Sequence, residues 1–163
     1  MLEVEITKDM VDAARKKAEE LGVLRNSITQ GAGNIAGFLG EFIVEKATGA
    51  KVSNTRDYDV TRLDGKTADV KTKRCGSKPA PHFECSVADF NTRQKCDFYV
   101  FVRVLNDFSK GWIVGELPKE EYFQKATFIQ QGQYDPSNKW RCKADCYNVA
   151  ISKLNEVTAI QNL

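Results

Sequence analysis

The sequence predicts an α/β protein in which helices flank a mixed central β-sheet, and three observations support this. Two amphipathic patterns with helical spacing occupy residues 8–21 and 35–48. A strong turn signal inside residues 57–73 predicts a β-hairpin. Residues 98–105 are nearly all apolar and β-branched or aromatic, which is typical of a buried central strand. Helices before and after such strands are expected to pack on the sheet that the strands form.

Length and composition narrow the class of protein. A chain of 163 residues is long enough for one domain, which we divide into an N-terminal helical part (1–50), the main sheet (51–117) and a C-terminal helix and strand (118–163). The net charge of +2 excludes a general basic field, so any nucleic-acid binding would depend on local patches. No apolar run of 18 residues and no secretory signal is present.

The five cysteines have no compact spacing and predict reduced thiols of an intracellular protein. Together with the lack of a long apolar run, this predicts a cytoplasmic protein without membrane contact. A zinc site is the alternative reading, but its ligands would match no standard structural spacing: Cys75, Cys85, Cys142, Cys146 and His82.

The first helix, over residues 8–21, is capped by Thr7 and stopped by Gly22. Residues 23–33 form a loop rich in Gly, Ser, Asn and Gln that lacks a Walker pattern. Asn34 caps the second helix, over residues 35–48, and Gly49 ends it.

Two glycines lie inside the second helix, where glycine is unfavourable. Gly37 and Gly40 each cost about 1 kcal/mol relative to Ala at such positions. Both are explained if the helix lies close against the sheet or against a ligand. Glu41 follows them in mid-helix, on a side rich in small residues.

The loop length of the hairpin around Asp64-Gly65 decides which side chains meet. A two-residue loop would set Asp59 opposite Val70, whereas a three-residue loop of Leu63, Asp64 and Gly65 sets Asp59 opposite Asp69. We favour the three-residue loop, because Gly65 then supplies its left-handed residue.

In that register the hairpin has one polar and one apolar face, since strand side chains alternate. The polar face carries Asp57, Asp59, Asp69, Lys71 and Lys73, and the apolar face carries Tyr58, Val60, Ala68 and Val70. Two opposed carboxylates repel each other, and a divalent cation between them would reverse that interaction. An all-oxygen site suits Mg²⁺ or Mn²⁺. The alternative is a polar face that is merely solvated.

The remaining elements follow from apolar runs and turn residues. We expect a loop at 76–82, strands at 83–87, 98–105 and 112–117, a helix at 118–126, a long loop at 130–141 and a last strand at 147–152. Residues 88–96 read as a short helix or an irregular turn, and residues 154–163 are ambiguous.

Basic and aromatic side chains suggest where nucleic acid would bind. A patch beside the hairpin consists of Lys71, Lys73, Arg74 and Lys78, and a smaller one of Arg93 and Lys95. Trp140 and Tyr134, in a polar loop, are candidates for stacking on bases, whereas Trp112 is expected to be buried in the core.

A Glu in a helix, an Asp in a strand and an Asp-x-Lys ten residues later form a specific combination. It resembles the PD-(D/E)xK nuclease superfamily and its restriction-endonuclease-like fold. Asp69-Val70-Lys71 is similar to the (D/E)xK element, Asp59 to the preceding acid and Glu41 to the helix carboxylate. The runs 37–41 and 69–73 resemble those of small bacteriophage nucleases. The chain departs from the pattern in having Tyr58 for Pro, Asp69 for the commoner Glu, and Asp57 as a rival acid.

The resemblance implies a Mg²⁺-dependent DNA endonuclease, with Mn²⁺ as a substitute, that leaves 5′-phosphate ends. Its catalytic residues would be Glu41, Asp59, Asp69 and Lys71, and its metal ligands Glu41, Asp59, Asp69 and the Val70 carbonyl. The residues expected to contact DNA phosphates are Lys73, Arg74 and Lys78.

Within this class, small size favours a resolvase of branched DNA, such as a Holliday junction, acting as a homodimer in the cytoplasm of a bacterial host. A general phage DNase or exonuclease, acting on duplex DNA, remains an alternative. A catalytically inactive nucleic-acid-binding protein on the same fold is another, and an interaction protein with a solvated acidic hairpin is a third.

Overall fold

The computed structural model describes residues 1–22, 34–53, 55–136 and 139–160. The predicted loop at 23–33 therefore lies outside the described residues. Among the helices that are described, none is long and apolar enough to cross a membrane.

Six strands form the main sheet, in the order β1-β7-β6-β4-β3-β2. Their bounds are β1 Leu2–Glu5, β2 Lys51–Val52, β3 Val60–Thr61, β4 Thr67–Cys75, β6 Phe98–Leu105 and β7 Lys110–Pro118. The β4–β6 pair is parallel and all other neighbours are antiparallel, so the sheet is mixed as expected.

A second sheet of three strands has the order β5-β11-β8. It consists of β5 Glu84–Ala88, β8 Thr127–Ile129 and β11 Cys146–Ala150. A separate two-stranded ribbon is made by β9, Tyr134–Asp135, and β10, Trp140–Arg141.

Three helices complete the described fold: α1 Lys8–Leu21, α2 Asn34–Thr48 and α3 Lys119–Lys125. The Thr7 hydroxyl accepts a hydrogen bond from Met10 N at the start of α1, as a capping residue should. Gly22 and Gly49, at the ends of α1 and α2, take the positive φ angles of 67° and 73° that glycine tolerates best.

Each face of the main sheet packs against its own apolar core. On one face, Val60, Ala68 and Val70 meet residues of α1 and α2 such as Ala14 and Leu39. On the other face, β6 and β7 are covered by α3 and the second sheet, through residues that include Tyr99, Phe101, Trp112, Tyr122 and Val149. Of the hairpin side chains predicted on the apolar face, Val60, Ala68 and Val70 are therefore in the core, whereas Tyr58 is only half-buried and is not part of it.

Gly40 lets α2 approach the sheet closely. A Cβ atom at this position would lie 1.8 Å from the Oγ1 atom of Thr72 on β4. The expected close approach is thus confirmed at Gly40 but not at Gly37, where a Cβ would have no neighbour within 4 Å.

Several elements differ from the sequence prediction. The segment Leu2–Glu5, which received no assignment, is a strand at the edge of the main sheet, and β8 also was not expected. The predicted loop at 130–141 contains β9 and β10. Both were missed because strands of two residues show no alternation of polar and apolar side chains.

Candidate functional site

The hairpin formed by β3 and β4 has the three-residue loop favoured by the sequence. Val60 pairs with Ala68, and the Arg62 N–H donates to the Lys66 carbonyl over 2.8 Å. Gly65 has a φ of 81°, in the left-handed region. The two-residue alternative, with Asp59 opposite Val70, is therefore excluded.

Asp59 directly precedes β3 and is fixed by two hydrogen bonds to the opposite strand. Its N–H donates to the Ala68 carbonyl over 3.0 Å, and its Oδ2 atom accepts from Val70 N over 2.8 Å. Because both partners adjoin Asp69, the two carboxyl groups lie next to each other at the open end of the hairpin.

Asp69 is held in β4 and is only 3% exposed. Its Oδ2 atom lies 2.6 Å from Lys71 Nζ, an ion pair along the strand. The geometry is not that of a hydrogen bond, and no other described group donates one to this buried oxygen. Lys71 also lies 3.4 Å from Gln94 Oε1. Asp69 thus keeps an oxygen with unused acceptor capacity.

Glu41 comes from α2 and is 8% exposed. Its Oε2 atom lies 3.3 Å from Nζ of Lys17, on α1. Burial raises the pKa of Glu41, although the charge of Lys17 opposes the rise, and the charge of Asp69 adds to it. Lys17 is not among the site residues predicted from the sequence. Its one available signal is its position three residues after the buried Ala14, which places it on the same side of α1.

Asp59 shows most clearly that the three acids converge. Burial and then the negative charges of Asp69 and Glu41 raise its pKa to about 8, although the hydrogen bond from Val70 opposes this. Burial is the largest of these effects, and the two neighbouring charges add to it because the site is poorly hydrated. The structure therefore holds Asp59 and Asp69 side by side, with Lys71 paired to Asp69, and places Glu41, paired to Lys17, close enough for its charge to act on Asp59.

The donor chemistry fits a hard divalent cation, although the side chains are not arranged as a finished site. Among the described residues, no three acidic, histidine or cysteine side chains are grouped around one point as metal ligands. The acids instead face Val70 N, Lys17 and Lys71. Carboxylate oxygens are the ligands that Mg²⁺ and Mn²⁺ prefer, and the Asp69 oxygen without a hydrogen bond could accept such an ion.

Asp57 lies apart from this cluster. It is half-buried, and its Oδ1 atom accepts a hydrogen bond from Lys95 N at 3.3 Å. It makes no contribution to the raised pKa of Asp59. Of the two rival hairpin acids, Asp59 is therefore the one that the structure joins to Asp69.

The residues predicted to contact DNA do not form one patch. Lys73 lies on the same face of β4 as Lys71, and burial lowers its pKa, with the charge of Arg103 adding to the effect. Arg74 points to the other face, where Nη2 donates to the Asn106 carbonyl over 3.0 Å and the guanidinium covers the Phe108 ring. Lys78 is exposed in the following turn.

Gln94, in the segment between β5 and β6, is a neighbour of Lys71 that was not predicted from the sequence. Gln94 contacts Lys71, while the ammonium group of Lys119 donates to the Gln94 carbonyl. Gln94 falls in a stretch without regular secondary structure, so no periodicity could have placed it near the hairpin.

Comparisons with known proteins leave the family of this chain open. No model of a known protein family matches the sequence, and no curated protein matches it significantly.

Proposed function

We propose that the protein is a metal-dependent deoxyribonuclease with a restriction-endonuclease-like fold, which hydrolyses phosphodiester bonds and leaves 5′-phosphate ends. The observation that carries the proposal is the convergence of Glu41, Asp59 and Asp69, with Lys71 2.6 Å from the Asp69 carboxylate. Lys17 and Lys71 pair with Glu41 and Asp69, which leaves Asp59 as the partly buried acid without a cationic partner among the described residues, a partner that a divalent ion would supply.

The acids would hold Mg²⁺ or Mn²⁺ together with the Val70 carbonyl. The chemistry that such an ion supplies when bound is a water of lowered pKa and neutralisation of charge on the phosphate. Asp59 and Asp69 would act as direct ligands, because the hairpin backbone already fixes them beside each other. Glu41 would have to turn from Lys17 to reach the same ion.

Lys71 would bind and orient the attacking water or offset the negative charge that develops on the phosphate. Its neighbours Asp69 and Gln94 keep its ammonium group at the site. Lys73, which follows Lys71 by two residues on the same face of β4, would contact a phosphate of the DNA backbone.

Branched DNA, such as a four-way junction, is our favoured substrate, and a homodimer is our favoured assembly. Resolving a junction requires two symmetric cuts, which two copies related by a twofold axis can make. Both statements rest on the resemblance to small nucleases. A general DNase or exonuclease that acts on duplex DNA is the nearest variant.

One structural observation favours a second candidate, an inactive DNA-binding protein on the same fold. Lys17 and Lys71 already neutralise two of the three acids without any metal. A protein that had lost its metal would retain such ion pairs. It would bind DNA equally well in Mg²⁺ and in EDTA and would cut nothing.

The test is a cleavage assay with supercoiled plasmid, linear duplex, single strand and a four-way junction, each in Mg²⁺, Mn²⁺ or EDTA. Asp69→Asn and Lys71→Ala should each lower the rate by about 100-fold or more. Asp57→Asn is the matched control and should stay within about threefold of wild type, because Asp57 faces Lys95. Cleavage that persists in EDTA, or in both variants, would overturn the proposal.

A further inference from the structure

The ribbon of β9 and β10 carries two exposed aromatic side chains on opposite faces. Trp140 pairs with Asp135 across the ribbon, and Arg141 pairs with Tyr134. Directly opposed residues share a face, so Trp140 lies on the Asp135 face and Tyr134 on the other. The base of the ribbon is fixed by a hydrogen bond from Gly132 N to the Cys142 carbonyl, over 2.8 Å.

The Asp135 face is the one turned toward the main sheet. Asp135 is 3% exposed, and its charge acts on the ionisation of Lys73 on β4 and of Glu84 on β5. Lys73 follows Lys71 by two residues on one face of β4, a separation of about 7 Å. The ribbon therefore lies near the Lys73 end of the β4 face that carries Lys71.

The surroundings of Trp140 are positively charged. Its ring is 44% exposed, and Lys143 Nζ lies 5.7 Å from the ring centre. Lys139, its neighbour in the chain, is also exposed, whereas Arg141 lies on the Tyr134 face and its Nη1 atom donates to the Gly132 carbonyl over 3.1 Å. The nearby Asp135 is buried, and Asp145 accepts a hydrogen bond from Gln131 N.

These features favour a nucleic acid over other occupants. Indole rings stack on any base, and cations beside them neutralise phosphates. A protein or lipid partner would favour a continuous apolar surface, whereas Tyr134 and Trp140 are separated by the ribbon. Bases in a duplex are already stacked on each other, so an exposed indole gains a stacking partner only from an unpaired base.

We propose that Trp140 is a binding site for an unpaired nucleobase, through which the protein recognises single-stranded segments next to the position of cleavage. The proposal rests on the nuclease function proposed above and names its substrate class: DNA with unpaired bases, as in single strands, flaps and open junctions. Lys139 and Lys143 would bind the flanking phosphates, and Lys73 would lie on the side of the ribbon toward Lys71.

The test measures binding in EDTA, so that it does not depend on cleavage. Fluorescence anisotropy would follow a labelled oligothymidine and a labelled duplex of equal length. Trp140→Ala should weaken single-strand binding roughly 5- to 150-fold, the range found for loss of one base–aromatic stack, and should change duplex binding less than about twofold. Trp140→Phe should retain most of the affinity.

Tyr134→Ala is the matched control, because Tyr134 is 51% exposed on the other face of the same ribbon. It should change single-strand binding less than about twofold. A direct signal comes from tryptophan fluorescence: oligothymidine should quench the wild-type protein but not Trp140→Phe, whose remaining Trp112 is buried.

Equal losses in Trp140→Ala and Tyr134→Ala, an unchanged Trp140→Ala, or equal weakening for duplex would each overturn the inference. So would Trp140-dependent binding to phosphatidylserine vesicles in the absence of oligonucleotide binding. If only the nuclease proposal is wrong, the result is distinguishable, because the protein would still bind single strands through Trp140 but would cut no substrate.

Discussion

The main-chain N–H of Val70 donates a hydrogen bond to the Asp59 carboxylate over 2.8 Å. This contact joins the acid before β3 to the residue that follows Asp69 in β4. The backbone of the hairpin therefore holds the carboxyl groups of Asp59 and Asp69 next to each other, although their negative charges repel.

Asp59→Asn should stabilise the metal-free protein in a pH-dependent way. The pKa of Asp59 is raised from 3.8 to about 8 in the folded state. Between these values the unfolded chain releases the proton and the folded protein keeps it, so the stability of wild type falls as pH rises. Because one pKa unit corresponds to about 1.4 kcal/mol, we expect a gain of at least about 2 kcal/mol at pH 8 and almost none at pH 4.

Urea unfolding of both proteins in EDTA at pH 4, 6 and 8 measures this difference. The asparagine side chain can still accept the hydrogen bond from Val70, so the comparison isolates the charge. Asp57→Asn, which changes an acid outside the cluster, should show no such trend. A constant difference between wild type and Asp59→Asn at all three pH values would refute the electrostatic account.

Divalent ions should bind more tightly as pH rises. Asp59 must lose its proton to act as a ligand, so the affinity for Mn²⁺ should increase from pH 6 to about pH 8 and then level off. Calorimetry without DNA measures the affinity, and an ion at 100 times its Kd should stabilise wild type by about 2.7 kcal/mol. Asp69→Asn should abolish both effects. An affinity that does not vary with pH would exclude Asp59 as a ligand.

Gly40→Ala should destabilise the protein by about 1–3 kcal/mol, because the new methyl group would overlap Thr72 Oγ1. Gly37→Ala, in the same helix but with open space around it, should stabilise by about 0.5–1 kcal/mol. Adding Thr72→Ala to Gly40→Ala should recover part of the loss. Chemical denaturation of the four proteins gives the values, and equal effects at the two glycines would contradict the packing described here.

Lys17→Met should destabilise the protein by about 1–3 kcal/mol at pH 8, because it leaves the buried Glu41 carboxylate without its ion-pair partner. Lowering the pH should reduce the penalty, since Glu41 already has a raised pKa and then takes up a proton. A double-mutant cycle with Glu41→Gln measures the coupling at both pH values. Lys16→Met, on the exposed side of α1, is the control.

The parts of the site that could be predicted from sequence are the local ones. The Asp64-Gly65 turn determines the register of the hairpin, and the alternation of side chains places Val60 and Ala68 in the core. Glu41 could be placed on a helix but not against Lys17, because that pair joins two different helices. Its contact depends on how α1 packs on α2, which no local pattern encodes.

Long-range strand pairing was likewise beyond prediction. The short segment Leu2–Glu5 pairs with Lys110–Ile113, and nothing in its residues identifies that partner. The ribbon of β9 and β10 lies among Gly, Pro and Asn residues that are more typical of a loop. Trp140 was nevertheless singled out by its type, and the structure adds which face of the ribbon it occupies.

The pairing of β1 with β7 has a consequence for how the chain folds during synthesis. Leu2 lies opposite Ile113, so β1 cannot dock until β7 has left the ribosome. At typical elongation rates the intervening stretch takes on the order of 5–20 seconds to make. During that interval Leu2 and Val4 have no β7 strand to pair with.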